Sequence, residues 1–148
     1  MLLCEIKMTY EIAKRPSYKV VDSNTSFKYI KEIYPQEMDL KEFFYVVYLN
    51  RANKVIGYHK IGEGGITGVV ADIRLIFAGA FECLAVGMIL THNHPTGQMR
   101  ASKQDIDLTS KVKAAGKLLD IELLDHIIVG HDEFNEMTYY SLADNGQL

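Results

Sequence analysis

The sequence predicts an α/β domain, a mixed β-sheet flanked by helices in a three-layer-like arrangement, and three observations carry that reading. Two aromatic and β-branched segments, Phe43 to Leu49 and Val55 to Ile61, flank the turn residues Asn50-Arg51-Ala52-Asn53 and read as a β-hairpin. A compact apolar run, Ala85 to Thr91, is followed by Pro95 and Gly97 and reads as a buried central strand. Just before it, Val70, Ile73, Ile76, Phe77, Ala80 and Phe81 recur at helical spacing, which predicts a core-facing helix over Val70 to Cys83.

The other elements follow in chain order. Tyr18 to Val21 is β-branched and reads as a short strand or extended arm. Asp22 to Ser26 offers several N-caps for a helix of about two to three turns ending near Tyr34-Pro35. Gly62 to Gly68 holds four glycines and reads as a loop, a flap over a substrate rather than a phosphate cradle, because neither a GK[ST] ending nor Rossmann spacing is present. Ser102 opens a third helix with Asp105 in the S/T-x-x-D/E capping position, and Ile106, Leu108, Val112, Leu118 and Leu119 follow as its apolar positions. Gly116 weakens that helix without ending it. Ile121 to Val129 reads as another strand, Gly130 to Glu133 as a turn, and Phe134 to Tyr140 as a last strand.

Composition bounds the function. A chain of 148 residues suits one domain, residues 1–148, with its core at about 18–140 and an N-terminal arm at 1–17. A formal charge of -3 gives no general attraction for phosphate backbones, so nucleic acid is not an expected partner. The lysines between Lys103 and Lys117 alternate with Asp105 and Asp107, as on a solvated helix face. Met1 to Met8 is interrupted by Glu5 and Lys7 and lacks a small-residue cleavage site, so it does not read as a secretory signal. No run approaches membrane-spanning length. Cys4 and Cys83, far apart and without a CxxC pair, suit a reducing compartment, and the expected location is the cytoplasm. Oligomeric state is not encoded in any pattern here.

The chemistry concentrates at His92-Asn93-His94. Two histidines two residues apart at a strand end point to the same side, so both can reach one ion. Asp105, in the first turn of the next helix, can supply the third ligand, and two histidines, one carboxylate and a water form a common catalytic zinc site. Such a site acidifies its water, and Glu42, opening the Phe43 strand, is the candidate base that shuttles the proton. Ser102, by hydroxyl or adjacent amides, is the candidate oxyanion donor. Each residue taken singly has a plainer reading: strand-end histidines often bond backbone, Asp105 suits a helix N-terminus, and Glu42 suits a solvated strand edge. Glu37, Asp39, Glu63 and Glu82 compete with Glu42 for the base role. His59 and His131 read as solvent-facing.

The run THNHPTGQMRASKQD resembles the JAMM signature, H-x-H-P with seven residues, the proline included, between its second His and S-x-x-D, and His92, His94, Pro95, Ser102 and Asp105 fill its fixed positions. The H-N-H-P-T-G version, with LLDIELLDHIIVG beyond the helix, is similar to the RadC branch of the JAB/MPN superfamily. KEFFYVVYLNRANKVIG is similar to that family's E-x-F-x-V-x-x-L-[ND] strand and hairpin, with Glu42 at the general-base position. The resemblance covers roughly Lys41 to Gly130 and implies a cytidine-deaminase-like fold and zinc held by His92, His94 and Asp105. Asp125-His126 also matches a family motif and reads as a structural pair bonded near the site. Two departures stand out: no G-x-G hairpin pattern lies before Lys41, so the resemblance brings no DNA-binding element, and VVADIRLIF stands where the family has a VHPR-like segment.

The expected function is therefore zinc-dependent hydrolysis of a peptide or isopeptide bond, with a protein or peptide as substrate. Two alternatives stand beside it. One is a DNA-repair or mobile-element role acting on or near nucleic acid, for which only Arg100 and Lys103 lie near the site in sequence; the other is a zinc-binding module without turnover.

Overall fold

A computed structural model of the chain describes residues 3–5, 16–64 and 70–148. Asp22 caps helix α1 (Ser23–Ile30) in a reciprocal capping box with Thr25, and the helix stops short of the expected end near Tyr34-Pro35, giving way to a turn. A 3-10 turn (Gln36–Asp39) leads into β1 (Phe43–Leu49) and β2 (Val55–Glu63), the expected hairpin. The Tyr18 to Val21 segment is an extended arm, joined to the hairpin by a bridge between Lys19 and Lys54 rather than forming a strand.

The expected glycine loop begins only after Glu63, because β2 continues through Gly62; Gly65 and Gly68 lie outside the described residues, as does most of the N-terminal arm. Helix α2 (Ile73–Glu82) starts three residues later than its apolar spacing suggests. The reason is local: the Asp72 carboxylate accepts the Arg74 backbone N–H at 2.9 Å and caps the helix, leaving Val70 outside it and 92% exposed.

Next come β3 (Gly87–Asn93), α3 (Lys103–Leu118), β4 (Glu122–His131) and β5 (Met137–Ser141). β4 runs through Gly130 and His131, so the turn falls at 132–136 and Phe134 is exposed there instead of starting the last strand. The sheet order is β2-β1-β3-β4-β5. β3 and β4 are parallel, linked through α3, and every other neighbouring pair is antiparallel. The sheet is mixed with helices on both faces, the α/β class expected. Among the described residues no helix is long and apolar enough to cross a membrane.

Strand alternation divides the core in two. Phe44, Val46, Tyr48, Met88 and Leu90 pack with α2 and α3, whereas Val47, Leu49, Ile89, Ile127 and Val129 pack beneath α1 and the 3-10 turn. Helix α3 buries Thr109, Val112 and Gly116, not the expected Leu118 and Leu119, which are exposed at its end. Gly116 lies so close to the Ile121 carbonyl that an added Cβ would collide with it. Although alanine favours a helix by about 1 kcal/mol over glycine, overpacking here outweighs that preference. Gly116→Ala is expected to lower stability by about 1–3 kcal/mol, read as a fall in denaturation midpoint; a stabilised variant would contradict the packing.

Candidate metal centre

β3 lies between β1 and β4 and is buried along its whole length, so its last residues are held on both sides. His92 points to the α2/α3 face and stacks on Phe44, with centroids 5.9 Å apart and planes 5° from parallel. His94 is just past the strand, but its N–H still donates to the Val129 carbonyl at 2.9 Å, which keeps the alternation and returns its ring to the same face. The chain then turns sharply: Gly97 has φ +76° and passes so close to the His131 carbonyl that only a residue without Cβ fits. That turn brings the Gln98 carbonyl to 2.7 Å from His94 Nδ1.

Helix α3 supplies the carboxylate. Ser102 and Asp105 form a reciprocal cap, Asp105 N–H donating to Ser102 Oγ at 3.1 Å and Ser102 N–H to Asp105 Oδ2 at 2.8 Å. The cap fixes the Asp105 side chain against the two rings. His92 Nε2 and His94 Nε2 are 2.9 Å apart, and Asp105 oxygens lie 3.2 Å and 3.5 Å from them. Among the described residues this is the one group of three or more potential ligands whose atoms converge, all within 4.8 Å.

The electrostatics fit a cation. His94 Nδ1 faces a carbonyl, to which it must donate, so a neutral His94 aims its Nε2 lone pair at His92 and Asp105. Acceptors in mutual contact repel unless a proton or a metal lies among them. Burial works against charge on both His94 and Asp105. Even so, the Asp105 carboxylate and the Gln98 carbonyl raise the His94 pKa, and where a proton rather than a metal lies among the three groups, the imidazole N–H groups it provides hydrogen-bond Asp105 and hold it well below the usual carboxylate range. Two imidazole nitrogens and one carboxylate oxygen suit a borderline divalent ion such as zinc. All three side chains the sequence singles out as ligands are therefore brought together.

They open onto a cavity of about 640 Å³ also lined by Glu42, Phe44, Val70, Ser102 and Gln104. Among the described residues, Glu42 is the one glutamate on that wall. Of its competitors, Glu63 pairs with Lys41 and Lys60, Asp39 with His131, and neither these nor Glu37 or Glu82 lines the cavity. Ser102 is exposed at the rim with its oxygen engaged as a cap, which leaves the O–H to donate outward. His59 is exposed, and His131 binds Asp39 rather than the site.

Asn93 has a role the sequence reading does not assign. Lying between the histidines, it points to the opposite face, where Oδ1 accepts the Phe43 N–H at 2.6 Å and Nδ2 donates to the Met38 and Lys41 carbonyls at 2.6 and 3.0 Å. These bonds grip the chain on both sides of Glu42. His126 and Thr109 also reach the site from behind: His126 Nε2 is 2.7 Å from His92 Nδ1, and Thr109 Oγ1 is 2.6 Å from His126 Nδ1. Asp125 meanwhile accepts from Ser141, Ala143 and the His126 amide, as a buried structural partner.

A family model for the RadC-like JAB domain matches residues 20–147, which include every element of this site. The chain belongs to that family. Relatives of this RadC-like JAB domain include the UPF0758 protein of Flavobacterium johnsoniae, 44% identical over 105 residues, covering 71% of this chain and 44% of the relative. The UPF0758 protein of Porphyromonas gingivalis is 40% identical over 139 residues, 93% of this chain and 57% of the relative. That of Chlorobaculum tepidum is 36% identical over 144 residues, 97% and 62% respectively. The chain thus spans about half the length of the curated relatives it matches.

Replacing the asparagine tests how the RadC-like site is held. Asn93→Ala strands a buried amide, a buried carbonyl and a part-buried one, and is expected to cost about 3 kcal/mol while leaving the three proposed ligands in place. Chemical denaturation together with metal titration checks this; unchanged stability would contradict the clamp.

Proposed function

We propose that this domain hydrolyses an amide, in a peptide or isopeptide bond, with zinc held by His92, His94 and Asp105. The observation that carries the reading is the convergence of those three groups in a cleft where, among the described residues, Glu42 is the one glutamate. When bound, zinc supplies Lewis acidity that polarises a carbonyl and acidifies water.

The chain's own residues do the rest. Glu42, held at the cavity wall by the backbone around it, takes the proton of the attacking water and delivers it to the departing amine. Ser102, its oxygen already committed to the helix cap, turns its O–H toward the developing oxyanion. Phe44 shields one side of His92 from water, which strengthens each polar interaction inside the cleft.

The cavity wall favours an amide over a phosphodiester. Among the described residues lining it, none is lysine or arginine, whereas phosphoryl transfer needs cationic side chains at the transferring group. The substrate we infer is accordingly a protein or peptide. Cys4 and Cys83, both free thiols, fit a reducing compartment, and we place the domain in the cytoplasm.

Metal analysis of the purified chain and two variants, followed by cleavage of a peptide library, tests the assignment. Wild type is expected to hold one zinc, His92→Ala to lose it, and Glu42→Gln to keep it while turnover falls about 10²- to 10⁴-fold. Zinc retained by His92→Ala would overturn the ligand set, and full turnover by Glu42→Gln would overturn the base.

A further inference from the structure

Behind the three ligands runs a chain of short contacts that the hydrolytic reading leaves unused. Thr109 Oγ1 lies 2.6 Å from the backbone carbonyl of Asp105, one turn earlier on α3, and 2.6 Å from His126 Nδ1. His126 Nε2 lies 2.7 Å from His92 Nδ1. Both His126 and Thr109 are buried, and the His126 ring packs edge-on against Phe44.

The direction of every hydrogen follows from the one group that has no choice. A backbone carbonyl only accepts, so the single Thr109 hydroxyl proton must point at Asp105. The Thr109 oxygen then receives from His126, whose proton must be on Nδ1. The hydrogen-bond partners found for the buried His126 ring are the Thr109 hydroxyl and the His92 ring, with no carboxylate among them, so the ring is a neutral imidazole with one N–H. That leaves Nε2 as an acceptor for His92 Nδ1–H, and a neutral His92 then has its only lone pair on Nε2, the atom facing His94 and Asp105.

From this geometry we infer that Thr109 and His126 are positioning residues that lock His92 in its metal-binding tautomer. The circuit starts at the backbone of one ligand, Asp105, and ends at the ring of another, His92, so helix start and strand tip are oriented together. His94 reaches the same state by a different route, through the Gln98 carbonyl. Hydrogen bonds of this kind behind a ligand typically change metal affinity by about 10- to 100-fold. The inference rests on the proposal that these residues hold zinc.

Two measurements test it. In zinc-loaded and metal-free wild type, long-range proton–nitrogen NMR of the imidazoles is expected to show His126 protonated at Nδ1 and bare at Nε2; an Nε2-protonated His126 would overturn the relay without any variant. Zinc affinity by chelator competition is expected to fall about 10- to 100-fold in Thr109→Val, which keeps the volume and removes the hydroxyl, and to recover in Thr109→Ser. Wild-type affinity in the folded valine variant, or no recovery with serine, would overturn the relay while leaving the zinc site standing. A wild type that takes up no zinc would overturn the functional reading itself, and the relay with it.

Discussion

Three groups that accept hydrogen bonds when neutral or ionised, two imidazole nitrogens and a carboxylate, are pressed against one another in this fold with contacts of 2.9 to 3.5 Å. Left to themselves they would separate, because facing lone pairs repel and the partial burial of the site weakens solvent screening. The fold holds them together through two rigid attachments. One is the end of β3, paired on both sides; the other is the first turn of α3, locked by its own cap. A charge must lie among the three groups, and a divalent cation satisfies all of them at once.

The two faces of one strand end divide the work. His92 and His94 fall on the face toward α2 and α3, where the cavity opens; Asn93, one residue out of phase, falls on the other and binds the segment from Met38 to Phe43. Glu42 is carried on that segment. Period-two alternation therefore joins the proposed ligands to the proposed base through a single residue, whose hydrogen bonds hold the backbone on both sides of Glu42. The Gly97 turn does a similar task for His94, since its close approach to β4 is what delivers the Gln98 carbonyl.

Much of this was legible in the sequence because the strongest signals are local. The Phe43 to Leu49 and Ala85 to Thr91 runs, the H-x-H spacing and the Ser102-x-x-Asp105 cap each depend on a few adjacent residues, and the structure keeps them together. The start of α2 was not legible, since an apolar spacing that continues through Val70 does not reveal that Asp72 will cap two residues later. Thr109, Asn93 and Gln98 were missed for a different reason. Their roles are fixed by partners 17 to 55 residues away, or by a backbone carbonyl whose direction no side-chain pattern records. Leu118 and Leu119 misled in the opposite sense: apolar side chains at a helix end carry no mark of whether the sheet reaches that far.

The most direct test of the central claim is X-ray absorption at the zinc edge on the metal-loaded chain. The account predicts two imidazole nitrogens at about 2.0–2.1 Å with oxygen completing a four-coordinate shell. A shell containing sulfur, or one of oxygen alone without imidazole scattering, would contradict it.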